Sequence, residues 1–329
     1  ASSKTNQQQT TKQNEQTKRN KQSKKMSHCN NNNNDTSAYI IDCVRTPIAI
    51  GKKTGALHNV HPVTLLAQVL DAVTNRVDVN KSLVEDVICG CVTPLKQQGS
   101  NIPRLALLKA NFPVTVPAVQ LNRMCGSGQQ AVHFAAQGIE SGDNDVVIGC
   151  GVEMMSVVPM GADADPLLFS MNPDDQHKLG FAPFPHKLVH QGLSADLIAE
   201  KYGISREELH QFAAESHKKS FEANQRGVFK REIIPVRVKK GEQEVWFTQD
   251  EGVRYPVDTQ KLASLPTIFR KNGWINAGHA SQISDGAAAV LLMSGRKADE
   301  LGLKKRARIV AKRTVGCDPV MMLDGVIPA

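Results

Sequence analysis

The chain has 329 residues, 40% hydrophobic content and a formal net charge of +8, enough apolar material for one large domain or two smaller ones. No apolar run reaches the roughly 18 residues of a membrane-spanning helix, so no membrane partner is expected. Residues 1–37 hold seven Lys/Arg against two acids and leave only +3 for the rest, a basic tail without aromatic or folded support, so no nucleic-acid partner is expected either.

Residues 1–37 are rich in Asn, Gln, Lys, Ser and Thr and cannot bury enough surface to offset their ordering entropy, which predicts disorder. Met26 could be a genuine start, with the residues before it a gene-model artefact. From Ala38 the pattern is regular. Strands are predicted over 38–44, 85–93, 115–121 and 145–150, with helices carrying Val63, Leu66, Val69, Leu70 and Val73, then over 104–110 and 128–140. Continuous apolar strands alternating with helices predict an α/β fold: a mainly parallel, mixed sheet covered by helices. Residues 157–189 carry five prolines and little periodicity, as an insertion or lid would. A helix is expected from Leu193 to Tyr202, stopped by Gly203. A second opens on the capping-box pattern Ser205-Arg-Glu-Glu208, with Leu209, Phe212, Ala213 and Ser216 forming a face until Gly227. His210 and His217 are assigned to its exposed surface. Residues 231–247 read as charged strand, 287–293 as a buried strand returning to the first sheet, and 304–313 as another strand.

The seven cysteines (29, 43, 89, 91, 125, 150 and 317) are an odd number without disulfide-framework spacing. With no secretory signal visible, an intracellular, reducing compartment is expected, with cytoplasm, mitochondrion and peroxisome all open. Cys89-Gly-Cys91 lies on a strand with no second paired motif, so core packing is expected and no metal. Cys125 is different. In Asn122-Arg-Met-Cys-Gly-Ser-Gly-Gln-Gln-Ala-Val132 it falls between a strand and a helix. A thiol there faces unpaired backbone N–H groups and the positive end of the macrodipole, an arrangement that suits a nucleophile. By spacing alone, a small buried hydrophobe stays open as the alternative.

That segment resembles the active-cysteine motif of the thiolase family, and other motifs follow in the family's order: Gly149-Cys-Gly-Val-Glu-Met-Met-Ser156, His190-Gln-Gly-Leu-Ser-Ala-Asp196, Asp250-Glu-Gly-Val-Arg254 and Asn276-Ala-Gly-His-Ala-Ser-Gln-Ile-Ser-Asp-Gly286. Arg45-Thr-Pro47 and Gly55-Ala-Leu57 also fit. The resemblance implies a thiolase-type acyltransferase, an acetyl-CoA C-acetyltransferase or a 3-ketoacyl-CoA thiolase. Cys125 would be the acyl-accepting nucleophile. His190, Arg254, Ala277 and Ser281 would contact coenzyme A, which acts as substrate, with no permanently bound cofactor. Phe269 could line the same groove, although core packing is its expected role. The resemblance also implies a homo-oligomer. The implied organisation is a tail over 1–37, an N-terminal thiolase domain over 38–156 and 246–297, a loop domain covering coenzyme A over 157–245, and the start of a truncated C-terminal domain over 298–329. Gln191, His279 and Gln129 depart from the family's usual residues. The family's later N-x-x-G-G, G-H-P and C-x-G-G-G segments do not occur, and no histidine lies beyond His279. This implies an incomplete copy with negligible thiolysis. The alternatives are a non-catalytic thiolase-like protein that binds acyl-CoA or pairs with an intact subunit, and a related lipid-transfer-type protein.

Overall fold

Alternating burial along the strands sets the layers of this molecule. The computed structural model describes residues 35–164, 186 and 188–329. Its main sheet is built from β1 (Ala38–Arg45), β2 (Ala49–Ile50), β3 (Asp86–Gly90), β4 (Ala118–Leu121), β5 (Val146–Met154), β8 (Ser284–Ser294) and β9 (Ala307–Arg308), in the order β4-β3-β5-β8-β1-β9 with β2 against β8. β3 pairs parallel with β4 and β5, while β8 runs antiparallel between β5 and β1. β1, β3, β4 and β5 therefore share one direction, and the α/β expectation holds with a mixed sheet. The returning strand is longer than the 287–293 read from its apolar run.

Side chains two apart point to the same face of a strand. Val146, Ile148 and Cys150 of β5 join Ile41, Val87, Cys89, Leu291 and Met293 in the larger core, under α1 (Pro62–Asn75) and α2 (Ile102–Lys109). Val147, Ile88 and Leu292 face the other way, onto Ala131, Ala135 and Ile139 of α3 (Ser127–Glu140). Backbone contact sets the spacing on that side. A Cβ on Gly149 would lie 2.9 Å from Val132 Cα, and one on Gly90 would lie 2.5 Å from the Ser127 carbonyl carbon. Only glycine at these points lets α3 sit down on the sheet.

β4 is shorter than expected. It forms the sheet edge, and Val119 within it is exposed. α4 (Gln191–Tyr202) and α5 (Arg206–Gln225) form where expected, with both halves of the Ser205–Glu208 capping box made. The face of α5 read from spacing is only partly covered, with Leu209 and Ala213 half-buried and Ser216 exposed. Phe212 is 80% exposed and no residue of α5 is buried. The charged stretch folds as a separate hairpin of β6 (Val236–Lys240) and β7 (Gln243–Phe247), turning at Gly241. α6 (Thr259–Ser264) and α7 (Gly295–Glu300) are short.

Of residues 304–313, only β9 is strand, and it joins the first sheet beside β1. The chain then crosses α3, with Lys312 Nζ on Glu140 and Thr314 Oγ1 donating to Gln130 Oε1 at 3.3 Å. It goes on to reach α4, where Ser194 Oγ donates to the Val320 carbonyl and Lys201 pairs with Asp324 at 3.0 Å. Most of the proline-rich stretch, and the tail before residue 35, lie outside the described residues. No helix among the described residues is long and apolar enough to cross a membrane.

Candidate active site

The turn that carries Cys125 connects β4 to α3 and is fixed by short local hydrogen bonds. Ser127 Oγ accepts from the Arg123 N–H at 2.8 Å and donates to the Met124 carbonyl at 2.6 Å. Asn122 Oδ1 accepts from the Met124 N–H at 2.7 Å. These bonds hold Met124 at φ 48°, in the left-handed region that costs an ordinary side chain about 1–2 kcal/mol. Cys125 follows, exposed, one residue before the N-cap Gly126. The Gly126 and Ser127 N–H groups are turned back onto the Arg123 and Met124 carbonyls at 3.1 and 3.0 Å. The next N–H groups of α3, on Gly128 and Gln129, have no intrahelical acceptor, so a substrate oxygen arriving there would meet donors.

The other thiols of the sheet differ. Cys89, Cys91 and Cys150 are buried, as core packing requires. A hydrogen bond with Cys150 and burial push the Cys89 thiol up, and burial pushes up that of Cys91, so both stay protonated. Exposure singles out Cys125 from its buried neighbours on β3 and β5. Among the described residues, no group of three or more His, Cys, Asp or Glu side chains is arranged to hold a metal.

His190 is the N-cap of α4. Its Nδ1 accepts from the Gly192 N–H at 3.0 Å, so a neutral ring carries its proton on Nε2. Phe269 stacks on the imidazole with centroids 5.0 Å apart and an interplanar angle of 22°. Phe269 is therefore half-buried beside His190, not a core residue. Asp196, on the same helix and fully buried, accepts from the Trp274 and Ile275 N–H groups at 2.6 and 3.0 Å. That clamp ties α4 to the loop bearing Ala277 and Ser281, both exposed. Asn276 braces the loop from within, donating to the Leu262 carbonyl and accepting from the Gly278 N–H.

Arg254 is exposed at the end of its motif, and the acids before it explain its placement. Asp250 takes both terminal nitrogens of Arg45 at 2.7 and 3.0 Å and also accepts from the Ile48 N–H. Glu251 accepts from the Ile50 and Ala56 N–H groups. The segment is thus sewn to β1 and β2.

Neither histidine of α5 is a simple surface group. His217 Nδ1 accepts from the Arg254 N–H at 3.2 Å, and His210 packs against His279 with centroids 4.9 Å apart. The sequence marked His279 as a departure from the family but gave no sign of its partner. A cleft of about 560 Å³ opens beside this contact, between α5 and the Tyr255–Thr259 stretch. Among the described residues, no hydrogen bond or ring contact joins Cys125 to His190, Arg254, Ala277 or Ser281. His190, Ala277 and Ser281 share the part of the chain that Asp196 clamps together, and the Arg254 N–H is held by His217 of α5.

A family model described as the N-terminal domain of thiolase matches residues 38–296. A steroid 3-ketoacyl-CoA thiolase of Mycobacterium tuberculosis is 41% identical over 297 residues, covering 89% of this chain and 71% of that protein. A 3-ketoacyl-CoA thiolase of Marinobacter nauticus is 38% identical over 304 residues, covering 90% and 74%. The crystal structure of the Bacillus anthracis acetyl-CoA acetyltransferase matches with a TM-score of 0.75 at 35% identity, over 87% of this chain and 72% of that one. One family model takes in most of the described chain, from its first strand to the helix after β8, and the chain belongs to the thiolase family of acyltransferases.

Proposed function

We propose that Cys125 accepts an acyl group from an acyl-CoA thioester. The observation that carries this reading is the exposed cysteine, held by Asn122 and Ser127 beside the open N-terminus of α3 in a chain of the thiolase family. In the transfer step, the Cys125 thiolate attacks the thioester carbonyl. The new S–C bond forms, the bond from that carbon to the coenzyme A sulfur breaks, and coenzyme A leaves as a thiolate that takes a proton from solvent. With a 3-ketoacyl-CoA, attack falls on the 3-keto carbon instead. The C2–C3 bond breaks, and the acetyl-CoA carbanion takes a proton from solvent. A coenzyme A thiolate then attacks the acyl-Cys125 carbonyl, forming acyl-CoA and returning Cys125 as a thiolate. Developing oxyanion charge is met by N–H groups at the start of α3.

These other residues supply the handle for coenzyme A. His190 Nε2–H is the available donor of its ring, suited to a pantetheine amide carbonyl, and the stacked Phe269 holds the ring in place. Ser281 offers a hydroxyl, Ala277 a small surface for the pantetheine arm, and Arg254 a cation for adenine or phosphate.

Label exchange tests the proposal. Isotopically labelled coenzyme A should pass into the acetyl-CoA pool through acetyl-Cys125, and Cys125→Ala should stop it. Exchange that survives the substitution would refute Cys125 as the acyl carrier.

A further inference from the structure

A line of hydrogen bonds reaches the Cys125 turn from a carboxylate that the chemistry above does not use. Glu153 lies at the carboxyl end of β5. Its Oε2 accepts from the Val92 N–H at 2.7 Å, and its Oε1 accepts from Gln98 Nε2 at 2.8 Å. Gln98 is fully buried and is held in turn by the Thr93 carbonyl at 2.8 Å and the Met154 N–H at 2.6 Å. The Val92 backbone, just past β3, is thereby fixed at its N–H. Its carbonyl accepts from Asn122 Nδ2 at 2.9 Å, just past β4. Asn122 Oδ1 then holds the Met124 N–H, and Cys125 is the next residue. The carboxyl ends of three parallel strands are linked in this way, the end of a sheet where ligands of α/β folds bind.

The geometry points to Glu153 as a positioning residue for Cys125, acting through the backbone of Val92 and the side chain of Asn122 on the left-handed Met124. The inference rests on Cys125 as the acyl acceptor. Met124 occupies a conformation that its side chain disfavours, so the turn keeps its shape only while neighbouring bonds hold it. The Cys91 N–H donates to the Leu121 carbonyl at 3.1 Å, and beyond that backbone bond the Asn122 amide carries the link on into the turn, with Oδ1 on Met124 and Nδ2 on Val92. Val92 anchors that amide, and Glu153 and Gln98 fix Val92. Ser127 clasps the turn from the helix side, but it makes no bond to the sheet-end residues.

The test is the rate of Cys125 alkylation by iodoacetamide in the full chain, followed by peptide mass mapping, with exposed Cys317 of the same molecule as internal reference. Glu153→Gln keeps the shape but leaves one oxygen for two donors. We expect the Cys125 rate to fall about tenfold relative to Cys317, since thiol reactivity follows the electropositive setting of a helix N-terminus, which a loosened turn would no longer hold Cys125 against. A folded Glu153→Gln variant with the wild-type ratio overturns the proposal, because a purely structural role would lower stability and leave that ratio alone. Should Glu153→Gln not fold, Asn122→Ala decides. It cuts the same line at an exposed residue, a fallen ratio supports the relay, and an unchanged one ends it. A parallel incubation of the wild type with acetyl-CoA separates the two claims. Alkylation of Cys125 without acylation would sink the acyl-acceptor reading and leave the positioning result standing.

Discussion

Cys125, the proposed nucleophile, takes its setting from its neighbours. Its sulfur is exposed, and the order around it comes from Asn122, Met124 and Ser127. The motif was legible because those residues are close in sequence, whereas the Glu153 contribution was not, because it arrives through a backbone peptide 61 residues away. At His190 the same limit applied. The residue could be picked out by its motif, but its stacking on Phe269 depends on two segments meeting, and Phe269 alone read as core. Removing that ring should loosen the imidazole. Phe269→Ala is expected to weaken coenzyme A binding by about three- to tenfold, in line with the worth of an aromatic pair, as titration calorimetry would show. An unchanged Kd would mean that His190 does not depend on its neighbour. His279 carries a pH dependence. Burial first, then His210 and Arg206, lower its pKa below the ordinary 6.5. The neutral ring belongs to the folded state, so its contribution is fully present above pH 6.5 and is lost as pH falls through the depressed folded value. Urea midpoints should therefore fall between about pH 7.5 and 5.5, and His279→Asn should flatten part of that fall.

At the level of elements, strands and caps were readable wherever local chemistry decides. β1, β3, β5, α1, α3 and the Ser205–Glu208 capping box stand close to where the pattern put them. α5 was readable as a helix but not as a surface. Leu209, Phe212 and Ala213 recur at helical spacing, yet no residue of α5 is buried, so periodicity gave the helix and not its neighbours. The meeting of α3 with the sheet was also hidden, because it is written in glycines. Gly149→Ala should force Val132 away and destabilise the fold by about 1–3 kcal/mol, the usual cost of overpacking. A lowered urea midpoint with an unchanged m-value would show this, and a neutral result would mean that α3 can shift at little cost.

Across the whole molecule, an antiparallel strand, β8, runs through the middle of a largely co-directional sheet, and the chain after it returns over α3 to α4. β8 was legible as a buried strand, but its direction depends on a connection of more than a hundred residues through the loop side. That arrangement puts the Cys125 turn at the end of β4 and His190 at the start of α4, two parts of one site in the proposed chemistry. The measurement closest to the centre of this account is direct capture of the acyl group. The full chain incubated with acetyl-CoA, quenched in acid and digested, should yield an acetylated peptide containing Cys125, with Cys317 unmodified and no such adduct in Cys125→Ala. A wild-type chain that stays unacetylated at Cys125, or that acetylates Cys317 equally, would contradict it.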